Sequence, residues 1–525
     1  MTREEALGKI ADSTAVWDLI VVGGGATGLG TAVDAASRGY RTLLLEQSDF
    51  AKATSSRSTK LIHGGFRYLR QGHFSLVRES LQERALLLGN APHVAHPRSF
   101  IVPTYSWWQG PYYAMGLKLY DLLAGRFGLA PSKLISRSET LARMHTLEPE
   151  NLRGGILYLD GQFDDARLAM TLVATLHDLG GLAINYLQVR SLTKKNGRVC
   201  GVVAHDLEGG REFELRAQAV VNATGVFVDN IRRMDDAASR PTTTVSQGAH
   251  VVLDRALLPG DDALMIPNTD DGRVLFAIPW QGRVLLGTTD IPVAKAVLEP
   301  RPLAEEVEFL LRHAARYLTK DPSRTDILSA FAGLRPLAAN PSTQGTAQIS
   351  RAHRLTISRS GLVTIAGGKW TTYRKMGEAA VTAAAEIGAL ETRPSCTRDL
   401  RLHGWTEHPW GNSHWHTYGS DLSRLRMLIR EHPRWEETLD ARLPYQAGEV
   451  IWAVRNEMAR TVEDVLARRT RALILDARAS IRVAPRVAAM MAVELGRDEQ
   501  WIAKQTWAFA QLAKGYLPGS DDKSG

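Results

Sequence analysis

The sequence predicts an α/β fold class in three parts: a parallel nucleotide-type sheet, a β-rich unit interleaved with it, and an all-α C-terminal domain. Three observations carry this. A short apolar strand, a glycine turn, a small-residue helix and a second strand follow one another over Trp17–Glu46. Two more strands that end in glycine stand far downstream, at Ala219–Gly225 and Leu362–Gly368, so one sheet is assembled from distant segments. From about Pro394 the apolar pattern turns helical.

A chain of 525 residues is too long for one small core, so two or three units are expected. With 44% hydrophobic and 23% charged residues its composition is that of a soluble globular protein. No run approaches the roughly 20 apolar residues that span a bilayer. The charged start MTREEALGKIADST has no apolar core and reads as no signal peptide. Cys200 and Cys396 stand far apart without a Cys-x-x-Cys or histidine pattern, which argues against a disulfide framework or metal site and fits a reducing cytosol. The net charge of +8 calls for an anionic partner, and nucleic acid, an anionic membrane surface and a phosphorylated substrate all satisfy it. Pro518–Gly525 is a polar tail.

The first unit opens with the strand Trp17–Val22, which runs into Gly23-Gly24-Gly25-Ala26-Thr27-Gly28, a G-x-G-x-x-G turn. The helix Leu29–Arg38 and the strand Tyr40–Leu45 follow, ending at Glu46. Gly23 permits the tight turn, Gly25 lets backbone amides approach a pyrophosphate, and Gly28 lets helix and strand pack closely. The helix start, with Ala26 and Thr27, offers unpaired N–H groups and positive dipole to phosphate. Glu46, about 20 residues on, suits the ribose hydroxyls and disfavours a 2′-phosphate. This is a Rossmann-like dinucleotide site, compatible so far with NAD or FAD.

Three later segments favour FAD. Ala53–Gly65 is rich in small donors, among them Thr54, Ser55, Ser56, Lys60, His63, Gly64 and Gly65. Its competing interpretation is a polar surface loop. The strand of AVVNATG ends in Ala223-Thr224-Gly225 at the carboxyl edge of the sheet, where ligands of open α/β sheets bind. A further strand ends in Gly367-Gly368, and a helix begins over Lys369, Trp370, Thr371 and Thr372. A lysine at a helix start faces the flavin edge where negative charge develops. Three glycine-ended strands over one chain suit a long dinucleotide.

The nucleotide unit is expected to be discontinuous, over 15–90, 150–235 and 340–390, with 91–149 and 236–339 forming the substrate cap. Val274–Ile278 and Val284–Gly287, about a turn at Trp280–Gly282, read as a hairpin of that cap. The helical domain covers 394–520, with helices over Leu425–Arg430, Ala447–Ala459, Val462–Leu473, Pro485–Leu495 and Gln500–Ala513. Pro485 suits the first position of its helix, where no N–H is needed. Asp164 and Asp165, ahead of an apolar helix, read as an N-cap and a first-turn acid rather than catalytic carboxylates. Tyr112–Phe127 reads as a core-packed amphipathic helix or as an interfacial one.

At DLIVVGGGATGLG, ATSSRSTKLIHGGFRYL, DDARL, VNATG, FAIPW with GTTD, GLRPL and AGGKWTTYRKM the chain resembles the aerobic, FAD-dependent glycerol-3-phosphate dehydrogenase family, of the D-amino-acid-oxidase-like flavoprotein fold. These pieces are in the family's order and cover roughly residues 17–380, and Thr461–Thr470 resembles its C-terminal domain.

The resemblance implies oxidation of the C2 hydroxyl of glycerol 3-phosphate to dihydroxyacetone phosphate by hydride transfer to flavin N5, with electrons passed on to a membrane quinone. In the matched motifs, Arg67 with Tyr68, and Arg351 in the ISRAH segment, are candidates to hold the phosphate. Arg335, between Gly333 and Pro336, is expected on a constrained turn facing the reacting oxygen. His250, opening an apolar strand, is the candidate general base, with a hydrogen-bonded structural histidine as the competing role. His63 is the alternative base, and Lys369 stabilises reduced flavin. An oxidase using O₂, of the glycerol-3-phosphate or amino-acid type, is the runner-up, and a flavin-binding or RNA-binding scaffold is the non-enzymatic alternative. In the leading interpretation nucleic acid drops out as a partner. It also places the protein in the cytoplasm, peripheral on the inner face of the cell membrane, and leaves room for a homodimer.

Overall fold

The computed structural model describes residues 1–11, 16–65, 69, 72–338, 353–407 and 413–518. Two sheets and a helical domain organise them. In the first sheet Trp17–Val22 runs parallel to Thr42–Leu45 on one side and to Glu212–Asn222 on the other. Leu182–Ile184 and Val363–Ala366 extend the parallel set, and Arg354–Ile357 closes one edge antiparallel. The near-continuous apolar run of Trp17–Val22 fits a strand covered on both faces. The helices Ala26–Ser37 and Tyr373–Ile387, which pack closely on each other at Gly30 and Gly377, share one core with it. Val22 is level with Leu45 and Asn222, and Asn222 with Thr364. Three glycine turns therefore leave the sheet at one edge.

The second sheet is built on Thr243–Asp254, which pairs with Ile327–Ala338 over most of its length. The expected hairpin is present as Leu275–Trp280 and Arg283–Gly287. One expectation of the domain layout fails here. Gly154–Phe163 pairs with Ala95–Thr104 and with Leu61–Ile62, so the start of 150–235 and a piece of 15–90 belong to this second sheet. An apolar strand followed by a helix looks like a crossover unit, but its pattern does not say which sheet it enters. From Gly154–Phe163 the chain crosses back through the helix Asp165–Asp178, whose N-cap Asp164 accepts from Ala166 N and Arg167 N, and reaches the parallel sheet at Leu182.

The C-terminal domain carries helices Ala447–Asn456, Ala477–Leu495 and Glu499–Lys514 around a core that also takes in Val252, Trp280, Leu285 and Phe331 of the second sheet, while Leu422–Arg430 packs in a smaller cluster with Tyr418 and Trp452. Pro485 lies inside Ala477–Leu495 rather than at its start, because Asp476 already supplies the cap, accepting from Ala479 N at 2.9 Å. The single helix expected over Val462–Leu473 is instead a π-helical turn, Asp464–Arg469, and a short helix, Ala472–Leu475. Arg471 between them takes φ +64°. Among the described residues, no helix is long and apolar enough to cross a membrane.

Candidate functional site

The glycine turns border an elongated groove. Gly25, Ala26 and Thr27 line it from one side, Ala223–Gly225 and Gly367–Trp370 from the other, and Glu46, Thr54 and Ser55 along its length. Gly23 has φ +113°, and a Cβ there would come within 2.7 Å of Ala223 O. Gly28 does not line the groove. A Cβ on it would stand 1.8 Å from Gly23 O, so it serves the close packing of helix on turn. The helix Ala26–Ser37 starts in the groove with no side-chain cap of its own, and Ala26 N donates to Ser55 Oγ at 2.9 Å. A helix start whose N-cap residue, Gly25, supplies no side-chain cap, three backbone turns without side-chain bulk and a terminal acid fit an elongated dinucleotide.

Glu46 ends the second strand. Its Oε2 accepts from Gly24 N at 2.6 Å and its Oε1 from Ser48 N at 2.8 Å, while burial raises its pKa. Trp370 Nε1 donates to Ser55 O at 2.8 Å, tying the third turn to the loop after the second strand. Lys369 lines the groove at the N-cap of Trp370–Thr372 and donates to Ser80 Oγ at 3.0 Å. Thr371 and Thr372 are buried beneath it.

Two expected cofactor contacts point elsewhere. Lys60 is fully buried and its Nζ bonds Asp165 at 2.7 Å and the carbonyls of Ser56 and Ser58 at 3.0 Å. Burial draws its pKa down to about 8 although Asp165 opposes this. Ser56 is buried as well, its carbonyl taken by Lys60 and Arg471. A run of small polar residues reads alike whether it faces ligand or an internal ion pair.

A second pocket adjoins, where Arg335 lines it and the next residue, Pro336, lines the groove. His63 and Gly65 line it, with Thr59, Asp160, Arg273, Thr288–Asp290 and Arg335. Gly64 N donates to Tyr120 OH at 2.8 Å. Arg335 sits within the strand Ile327–Ala338 and not on a turn, since its neighbours complete a ladder with Thr243–Asp254. Its guanidinium bonds Asp290 Oδ1 at 3.2 Å, Thr288 Oγ1 at 3.0 Å and Thr289 O at 2.9 Å. Pro336, the next residue, lines the cofactor groove. Alternation along one strand thus puts Arg335 in the pocket and its neighbour in the groove.

His250 falls in mid-strand rather than at a strand start, and it is absent from the pocket wall. Its Nε2 lies 2.8 Å from Thr59 Oγ1 and its ring stacks on Phe331. Burial, with Lys60 and Arg335 adding to it, pushes its pKa well below 6.5, so the ring is neutral. Arg67, Tyr68 and Arg351 lie outside the described residues. Thr59, Arg273 and Asp290 were not singled out from the sequence. Thr59 lies in Ala53–Gly65 and Asp290 in GTTD, where neither residue type nor spacing marks the individual side chain's role.

Comparison with known proteins agrees with this geometry. The FAD-dependent oxidoreductase family matches residues 18–374, and the C-terminal domain family of alpha-glycerophosphate oxidase matches 367–502. The chain is 40% identical over 522 residues to the mitochondrial glycerol-3-phosphate dehydrogenase of Homo sapiens, covering 93% of this chain and 72% of that one. For the enzyme of the same name from Schizosaccharomyces pombe the figures are 36% over 583 residues, 98% and 89%. The X-ray structure of the glycerol-3-phosphate dehydrogenase from Bacillus halodurans complexed with FAD superposes with a TM-score of 0.80 at 30% identity, covering 98% of both chains. The chain is an FAD-dependent oxidoreductase and belongs to the glycerol-3-phosphate dehydrogenase family.

Proposed function

We propose that the protein oxidises sn-glycerol 3-phosphate at C2 to dihydroxyacetone phosphate and passes the electrons to a membrane quinone. The observation that carries this is the shared strand: Arg335 lines the substrate pocket and Pro336 the cofactor groove. Bound in that groove, FAD supplies the hydride acceptor.

The residues then divide the remaining work. Gly23, Gly25, Ala26, Thr27, Glu46, Thr54, Ser55, Ala223–Gly225 and Gly367–Trp370 hold the dinucleotide. Arg335, fixed by Asp290 and Thr288, orients the substrate oxygen and favours the charge that grows on it. His63, on the same pocket wall, takes the hydroxyl proton. His250 is less suited to that step, because a second proton would join Lys60 and Arg335 in a buried site. It holds Thr59 in place instead. Lys369 sets a cation where charge builds on electron transfer. Arg67, Tyr68 and Arg351 are proposed to bind the phosphate, on the family resemblance.

The quinone route is supported by the helix Gln109–Ala124. Tyr113, Leu117, Tyr120 and Ala124 pack inward. Its other face, with the turn before it, leaves Trp107 77%, Met115 69% and Leu122 75% exposed, beside Trp108 and Tyr112. Core packing and an interfacial role thus belong to opposite faces of one helix. An apolar face of this kind, flanked by Lys118 and Arg126, suits the surface of an anionic bilayer.

The test is an anaerobic titration of the purified protein with glycerol 3-phosphate, followed at the flavin absorption band and then reoxidised with quinone. Stoichiometric bleaching and quinone-dependent recovery are expected. A bound flavin that glycerol 3-phosphate leaves fully oxidised would sink the proposal, and preferential recovery with O₂ would turn it to an oxidase.

A further inference from the structure

We infer that the C-terminal domain is a working part of the cofactor site: Glu463–Arg471 is a brace of buried ion pairs that holds the loop Glu46–Lys60 in the shape that receives FAD. Arg468, Arg469 and Arg471 are its positioning residues. The inference rests on the FAD groove described above.

The loop needs such a hold. Its only regular structure is the short 3-10 turn Thr54–Ser56. Ala51 and Lys60 both have positive φ, 60° and 62°, a region that non-glycine residues occupy only when their surroundings impose it. Yet Glu46, Lys52, Thr54 and Ser55 form one long wall of the groove.

The brace grips this loop at three places. Asp49, fully buried, accepts from Arg468 Nε at 2.5 Å and from Arg469 Nη1 and Nη2 at 2.7 and 2.8 Å. Lys52, itself on the groove wall, donates to both oxygens of Glu463 at 2.6 Å. Arg471 donates to Ser56 O at 2.8 Å and to Asp165 Oδ1 at 2.9 Å. Asp165 in turn accepts from Ser58 N, Ser58 Oγ and Lys60 Nζ. The far wall is held as well, since Tyr186 OH donates to Asp464 Oδ1 at 2.7 Å just before Leu187 and Gln188 line the groove.

The brace is itself set in unusual backbone, a π-helical turn over Asp464–Arg469 followed by Arg471 at φ +64°. Both features recur where side-chain direction matters more than helix stability. Arg468, Arg469 and Arg471 are each no more than 2% exposed. Removing one guanidinium takes charge-assisted hydrogen bonds from a buried carboxylate that its other partners replace only in part, and the loop it holds loosens.

The experiment compares full-length variants by FAD-to-protein ratio after desalting, FAD Kd, visible circular dichroism of the flavin, and hydrogen exchange across residues 46–60. Arg469→Met is expected to weaken FAD binding by about tenfold or more, with Arg469→Lys recovering part of the loss. Lys52→Met is milder, about threefold, and Glu463→Gln somewhat stronger because Glu463 also accepts from Arg468 Nη1 at 2.7 Å, so the double variant is expected to lose no more than Glu463→Gln alone. Arg455→Met, which breaks the pair with Glu494 on the outer face of the same domain, serves as control and leaves FAD Kd unchanged. Folded Arg469→Met protein with wild-type FAD Kd, flavin spectrum and exchange overturns the inference. Where Arg469→Met does not fold, fully additive effects of Lys52→Met and Glu463→Gln overturn it instead. If the wild-type protein binds no FAD, the cofactor assignment has failed rather than the brace, which the exchange of residues 46–60 still tests.

Discussion

Asp290 Oδ1 lies 3.2 Å from Arg335 Nη1, and the same buried carboxylate stands 3.9 Å from Arg273 Nη1. One acid on the pocket floor thus serves two guanidinium groups, and the direction of Arg335 depends on it. Asp290→Asn keeps the shape but removes the charge that holds the arginine. The expected outcome is a fall in kcat/KM of up to about 100-fold with FAD content unchanged, measured by anaerobic steady-state and single-turnover kinetics. Activity equal to wild type would show that Arg335 is fixed by Thr288 and Thr289 alone.

His250 gives a prediction of opposite sign. Because burial keeps it neutral and its Nε2 is engaged with Thr59, replacing it with glutamine removes a support and not a base. His250→Gln is expected to retain activity within about tenfold, and the pH profile of kcat/KM keeps its wild-type inflections. Loss of a true general base costs about 10²–10⁴-fold. A loss of that size, with the inflection abolished, would reinstate His250 and displace His63.

The exposed face of Gln109–Ala124 makes the membrane proposal measurable. Met115→Glu with Leu122→Glu places two charges where apolar side chains are 69% and 75% exposed, so folding is spared. Each apolar side chain buried in lipid contributes about 1.5–3 kcal/mol. Co-flotation with anionic vesicles is expected to drop by at least about tenfold, while reduction of the flavin by substrate in detergent stays unchanged. Equal flotation of variant and wild type would move the contact to another surface.

His403 carries a pH prediction for the domain junction. Its Nε2 is 2.7 Å from Asp421 and its Nδ1 2.7 Å from Asp178, and these contacts, Asp421 foremost, raise its pKa to about 9 against partial burial. Its folded pKa lies above the unfolded value of 6.5, so its contribution is fully present below pH 6.5 and is lost as pH rises towards 9. Discounted for solvent screening, that contribution is about 1–2 kcal/mol. Thermal melts are expected to show a midpoint that falls between pH 6.5 and 9, and a His403→Gln variant that lacks this fall. The same slope in both proteins would remove His403 as its cause.

The parts of this molecule that were legible in the sequence are those whose chemistry is local. Gly23–Gly28, Ala223–Gly225 and Gly367-Gly368 announce themselves because a strand, a turn and a helix start must be adjacent in the chain to form such a turn. Asp164 as an N-cap is legible for the same reason. What was hidden depends on partners far away in sequence. Lys60 looked like a ligand contact until Asp165 stood against it, and Gly154–Phe163 looked like part of the parallel sheet until its neighbours were known. The Thr461–Thr470 motif was visible, but nothing in it names Asp49 or Lys52 as partners. Pro485 misled because an Asp cap several residues upstream outweighs the usual preference of proline for a helix start.

The strand order of the parallel sheet has a consequence for how the chain is made. Val363–Ala366 lies beside Glu212–Asn222, which lies beside Trp17–Val22. On the ribosome, the N-terminal turn and the middle strand emerge long before residue 363. Until then the end of Glu212–Asn222 presents unpaired backbone flanked by the fully buried Val220 and Val221. That interval is an aggregation hazard in the nascent protein, of the kind chaperones shield. The glycine edge proposed to bind the dinucleotide is complete only once Gly367-Gly368 has been made and Val363–Ala366 has joined the sheet, so a groove able to receive FAD forms only after its first turn has long been exposed.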